Sequence, residues 1–216
     1  MKRGAAKGKR TSSPVATPGR RERSKLEKLE RIRAAARRLF ARQGFANTTT
    51  KQIAAEADIG SGTLFLYART KEDLLVLIFQ DEVGRAVDRA FARVPEAPLL
   101  DQVLHVFNAL IAHHAADPAL ARVFVKELPF VDEPRHGVAQ FVGALYERLG
   151  ALIDAAKARG EIAADVPSRL LAQNLFGSCF QQFQMWLGGS TTALRPNDVR
   201  LRAALELQLR GALTKE

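Results

Sequence analysis

The sequence has a single cysteine in 216 residues, Cys179. That excludes an intramolecular disulfide framework and any metal site built from clustered thiolates, and it fits a reducing cytosol. Long apolar runs are also missing. The longest, Leu74 to Phe79, falls far short of the roughly 20 residues a membrane-spanning helix needs. The amino terminus lacks the apolar stretch of a secretory signal, so a cytoplasmic chain with no membrane partner is expected. No glycine-rich phosphate loop and no internal repeat is visible. Nor is there a matched set of acid, base and nucleophile, so no enzymatic role is expected. Cys179 stands among Phe176, Phe180 and Phe183, the setting of a buried, inert thiol. The four histidines are His105, His113, His114 and His136. Adjacent residues on a helix point about 100° apart, so His113 and His114 make no natural chelating pair. No metal and no other cofactor is expected.

What is present is charge, unevenly spread. The net charge is +10 and 47% of the residues are hydrophobic. Such a chain can bury a sizeable core and still favour a polyanionic partner, nucleic acid before an anionic membrane surface. Residues 1–25 hold nine basic side chains against one acidic, so +8 of the charge lies there. Gly, Ser, Thr and Pro fill the gaps and almost nothing apolar is offered for burial. This segment reads as a disordered basic tail: either an arm that follows phosphates or enters a minor groove, or a merely solubilising extension.

The most informative stretch runs from Thr48 to Leu75. Thr48 to Thr50 supply hydroxyls that can accept from free amides at a helix start. Gln52 to Ala55 continue that helix, and Asp58 and Gly60 suit a turn with Ile59 as an apolar anchor beneath it. A second short helix, Ser61 to Tyr67, puts small residues first and aromatics after, with Leu64 inward. That order suits a helix entering a DNA major groove end-first. Base contacts are expected from Gly60, Ser61, Gly62 and Phe65, and phosphate contacts from Thr49, Thr63, Tyr67 and Lys71. Thr70 is a plausible cap for the next helix.

Here the chain resembles the TetR family of bacterial transcription regulators. The matching block runs from about Ile32 to Phe79 and carries Leu39-Phe40, Gly44-Phe45, Thr48-Thr49, Ile53-Ala54, Ala57, Gly62-Thr63-Leu64-Phe65, Tyr67, Lys71-Glu72 and Leu74-Leu75. Position 65 is Phe where the family usually has Tyr, position 68 is Ala where a large aromatic is common, and position 61 is Ser where Lys or Arg is frequent. The resemblance implies a phosphate-binding hydroxyl lost at Phe65 and core volume lost at Ala68.

The remainder reads as helices. Leu29, Ile32, Ala36, Leu39 and Phe40 keep helical spacing up to Gly44, suited to a left-handed C-terminal residue. From Glu72 a long helix reaches about Val94, stopped by Pro95, and links head to body. Segments 99–115, 117–127, 135–159, 167–187 and 196–214 follow, with Asp117-Pro118 as a helix start and Pro167 and Pro196 opening the last two. The expected fold is all-α, with about nine helices. A disordered basic tail (1–25) precedes a three-helix helix-turn-helix DNA-binding domain (26–71) and a larger helical ligand-binding and dimerisation bundle (72–216).

Phe107, Phe124, Phe130, Phe141, Phe176, Phe180, Phe183 and Trp186 give the second domain a large aromatic content, which serves a packed core or the wall of a small-molecule site. Because the second domain of TetR-family proteins usually binds an effector, the resemblance favours a site. Its candidate residues are Phe107, Asn108, His114, Phe124, Phe141, Asn174, Phe180 and Gln181. Leu175, Phe183, Trp186 and Leu187 with Leu201, Leu205 and Leu209 are expected to be left open for a twofold partner, as the family dimerises through that region. The expectation is a homodimeric repressor that binds a double-stranded operator and is released by an apolar or amphipathic ligand. Two rivals are a constitutive DNA-binding dimer with a solid second domain, and a helical ligand carrier or enzyme.

Overall fold

A computed structural model describes residues 19–130 and 137–211. Among these residues there are nine α-helices and no β-strand, as expected: α1 (Arg20–Gln43), α2 (Thr50–Glu56), α3 (Ser61–Phe65), α4 (Lys71–Phe91), α5 (Leu99–Ala116), α6 (Pro118–Glu127), α7 (Val138–Ala158), α8 (Ser168–Leu187) and α9 (Val199–Arg210). A 3-10 turn, Leu128–Phe130, follows α6. His136 and most of the basic tail lie outside the described residues. The tail's last part is helical, because α1 begins at Arg20. The run Arg20 to Arg31 is rich in Arg, Glu, Lys and Leu, all good helix formers, and Glu22 faces the positive end of the helix dipole.

Local signals set the breaks. Gly44 closes α1 at φ +78°, its amide donating to the Phe40 carbonyl. Thr49 caps α2 and completes a reciprocal capping box with Gln52. Thr70 caps α4 and Asp117 caps α6 with Pro118 behind it. The last helix differs from expectation. Asn197 takes φ +63°, held by two 2.8 Å hydrogen bonds with Asn108 of α5, and Asp198 rather than Pro196 caps α9.

Helix α4 is the hub. Leu74, Leu75, Val76, Ile78 and Phe79 are all buried, more than one helical face can account for, because α1 covers one side while α5 and α6 cover another. A charged seam runs along the outer edge of this joint. Arg33 and Arg37 of α1 reach Asp81 of α4 at 3.6 Å, and Arg37 also pairs with Glu82. Arg85 holds Asp81 at 2.6 Å, and His113 of α5 lies 3.8 Å from Glu82.

The residues expected to be open for a partner are buried within the single chain. Leu175, Leu201 and Leu205 are fully enclosed, and Phe183, Trp186, Leu187 and Leu209 nearly so. They hold α8 and α9 to the rest of the bundle. The faces left outward carry Leu170, Asn174, Gly177, Gln181 and Met185 on α8, and Val199, Ala203 and Leu207 on α9. The stripe expected to face outward is thus the packed one on each helix, because periodicity alone does not say which of two apolar stripes faces the bundle.

Two histidines sit in the α4–α5–α6 core. Phe79 stacks on Phe124 at 4.5 Å and meets His113 and His114 edge-on at 4.7 and 5.2 Å. Burial pushes the His114 imidazole down to about 4, partly opposed by its bond to the Leu110 carbonyl. Burial also lowers His113, against the pull of Glu82 and with help from Arg89 and Arg85. The unfolded chain therefore takes up protons that the folded chain refuses. Stability is fully present above pH 6.5 and is lost as pH falls toward the folded values. Thermal melts should show a loss of roughly 2 kcal/mol between pH 7.5 and pH 5, a window above the carboxylate range. His114→Phe should remove most of that dependence; an equal loss in the variant would contradict the assignment.

Candidate functional site

Two regions hold the residues singled out by sequence. The first is the head. Helix α2 ends at Glu56, and the turn to α3 is made by Asp58 at φ +54°, while Gly60 keeps an ordinary φ of −67° and precedes α3 as its N-cap. Asp therefore supplies the left-handed residue of this turn, a role its short polar side chain tolerates. Ile53, Ala54, Ala57, Leu64 and Ala68 are buried in one core with residues of α1 and α4. At position 68 the small side chain is enclosed, 1% exposed, so the neighbours close around alanine.

With Leu64 inward, α3 presents Gly60, Ser61, Gly62 and Phe65 outward, and Thr49 is exposed at the start of α2. Thr63 is half-buried. Leu66, not singled out by sequence, is 77% exposed beside Phe65 at 48%. Two expected phosphate ligands are hydrogen-bonded within the chain. The Tyr67 hydroxyl donates to the Lys25 carbonyl at 3.3 Å. The Lys71 ammonium donates to the carbonyls of Phe45 and Ala46 at 2.9 and 3.0 Å and lies 4.5 Å from the Phe45 ring centroid. Lys71 thus ties the first turn of α4 to the loop after α1. A shallow basic groove opens alongside, lined by Arg20, Arg21, Ser24, Lys25, Lys28 and Tyr67. Its signal in the sequence was the charge run on the first turns of α1.

The second region is a cavity of about 290 Å³ inside the bundle. It is enclosed by α4 to α8 and the 3-10 turn. Of the eight residues expected there, His114, Phe124, Phe141 and Phe180 line it. Phe107 is fully buried beneath the cavity wall, its ring 6.4 Å from that of Phe176. Asn108 is engaged by Asn197, while Asn174 and Gln181 are exposed on the outer face of α8. The sequence reading did not assign Val83, Leu110, Val142, Leu145, Phe176 and Phe183 to the site, although they supply much of the apolar wall. Aliphatic residues at helical spacing look the same whether they face a void or a neighbour. Gln80 and His114 are the polar side chains on the wall.

Gln80 and Phe141 have a second position. They also border the groove that holds Arg33, Asp81 and Arg85, so the cavity and the charged α1–α4 seam share a wall. Cys179 is fully buried and burial pushes its thiol up, so it is an inert part of the core. Among the described residues no group of three or more metal-ligating side chains converges, and no helix is long and apolar enough to cross a membrane.

Known proteins share this arrangement. The family model for bacterial regulatory proteins of the tetR family matches residues 32–78, the span from mid-α1 into α4. Over 167 residues the chain is 26% identical to the fatty acid metabolism regulator protein of Bacillus subtilis (strain 168), covering 76% of this chain and 86% of that one. The structure of Thermus thermophilus FadR, a TetR-family transcriptional repressor in complex with lauroyl-CoA, is 26% identical, with 87% of this chain and 96% of that one covered at a TM-score of 0.63. FadR from Bacillus subtilis in complex with stearoyl-CoA, 22% identical, shares the fold at a TM-score of 0.62, with 84% of this chain and 98% of that one covered. The family match falls on the helix-turn-helix itself and the fold is shared through the bundle: residues 32–78 form a domain of the tetR family of bacterial regulatory proteins, and the rest of the chain is similar in fold to regulators of that family.

Proposed function

We propose that the protein is a homodimeric repressor that holds a duplex operator through α2 and α3 and releases it when an acyl-type apolar ligand fills the cavity. The observation that carries this reading is the cavity's place beside α4. The helix that walls it with Gln80 and Val83 is the one whose first residue, Lys71, is bonded to the head. A ligand that favours one position of α4 over another shifts the head with it. The relatives support the ligand class: one is named a regulator of fatty acid metabolism, and the Thermus thermophilus structure holds lauroyl-CoA. At about 290 Å³ the cavity is at the small end for ligand sites, about 300 to 1,000 Å³. It suits an acyl chain whose larger polar end stays outside.

The outward faces of α8 and α9 suit a twofold partner, with Leu170, Gly177 and Met185 beside Val199, Ala203 and Leu207. Leu207 and Val199 are 71% and 78% exposed. A constitutive dimer would call for a filled second domain, and the cavity speaks against that.

Duplexes selected from a random pool should share a motif of twofold symmetry, and dodecanoyl-CoA should weaken binding to them at least tenfold by fluorescence anisotropy. Acyl ligands that leave both the melting temperature and the operator affinity unchanged would favour the constitutive rival with its solid second domain. Arg21→Ala and Lys28→Ala should each flatten the slope of log affinity against log salt by about one unit. Lys71→Ala should instead lower the melting temperature and leave the slope in place, since its ammonium is spent on the Phe45 and Ala46 carbonyls. A flattened slope in that variant would restore Lys71 to the phosphate contacts.

A further inference from the structure

The cavity wall contains one polar group whose hydrogen-bonding capacity can be worked out. His114 is 6% exposed and packed by the rings of Phe79, Phe124 and Phe183, with ring centroids at 5.2, 6.0 and 4.5 Å. Its Nδ1 lies 2.8 Å from the Leu110 carbonyl oxygen. A carbonyl can only accept, so Nδ1 carries the hydrogen. The bond turns that edge of the ring back onto its own helix and leaves Nε2 on the opposite edge. Burial holds the ring neutral at ordinary pH, so Nε2 presents a lone pair. No hydrogen bond to Nε2 comes from the described residues. Nε2 is thus an acceptor on a wall that is apolar apart from Gln80.

That fixes which ligand atoms can satisfy it. A plain hydrocarbon chain, an ester or a thioester carbonyl has no hydrogen to donate. A ligand of that kind would seal Nε2 away from water without a partner, at a cost. A hydroxyl has the hydrogen and adds little volume. We infer that the effector is an acyl chain bearing a hydroxyl group, whose O–H donates to His114 Nε2 inside the cavity. This rests on the acyl-ligand reading above and narrows it: His114 selects hydroxylated chains over plain ones. An un-ionised carboxylic acid also offers an O–H, but a free fatty acid must first take up a proton to enter in that form, which a hydroxylated chain need not do.

The test compares the binding of dodecanoyl-CoA, its 2-, 3- and 12-hydroxy derivatives, and dodecanoic acid to the full chain and to His114→Phe. In the natural protein one hydroxylated chain should bind about tenfold more tightly than dodecanoyl-CoA, the worth of one buried hydrogen bond. In His114→Phe that ratio should fall to about one. A second readout needs no variant: the ¹⁵N spectrum should show a protonated Nδ1 for His114, and its Nε2 resonance should move on adding the favoured hydroxylated chain and not on adding dodecanoyl-CoA. The inference is overturned if no hydroxylated chain gains in the natural protein, if the gain survives in His114→Phe, or if dodecanoic acid is the ligand His114 favours. Binding of all the acyl-CoA ligands without discrimination would remove the role of His114 and leave the acyl reading standing. Failure of every one to bind would overturn both.

Discussion

Everything in this structure depends on α4 being enclosed on more than one side. Buried at Leu74, Leu75, Val76, Ile78 and Phe79, it cannot shift against α1 without disturbing α5 and α6, because close-packed side chains transmit displacement rather than absorb it. The ion pairs of Arg33 and Arg37 with Asp81 and Glu82 lie at the rim of the same joint, where removing one partner leaves charges only partly solvated. The helix-turn-helix and the cavity are thus two ends of one packed element.

The head shows how few residues are needed to present a short helix. The turn at Asp58, the caps at Thr49 and Thr70 and the inward Leu64 fix α3 from both ends, although a helix of this length has little stability of its own. Lys71 and Tyr67 complete the frame by bonding to carbonyls on and after α1. Their polar tips act within the protein, and the exposed surface of α3 is correspondingly apolar, with Phe65 and Leu66 foremost. The basic groove on the first turns of α1 then supplies the positive charge that α3 itself lacks.

Much of this was legible in the sequence because it is local. Caps, turn residues and the 3.6-residue period act within a few positions of one another, so the breaks at Gly44, Thr70 and Asp117 could be placed without knowing the fold. What was not legible depended on distant partners. The inward and outward stripes of α8 and α9 were interchanged, since both carry enough apolar residues to pass for either. The start of α9 was misplaced because Asn197 is held by Asn108, far away in the chain. Of the cavity, the aromatic residues Phe124, Phe141 and Phe180 and the polar His114 stood out, whereas Val83, Leu110 and Leu145 were indistinguishable from ordinary core.

The central claim is that filling the cavity changes where the heads sit. Because Cys179 is fully buried, a spin label can be directed to one exposed site on α1 through Ala41→Cys, and the distance between the two labels of a dimer read by pulsed electron resonance. The account predicts one distance with a selected duplex bound and a longer one with dodecanoyl-CoA bound. An identical distance in the two complexes, with both ligands shown to be bound, would contradict it.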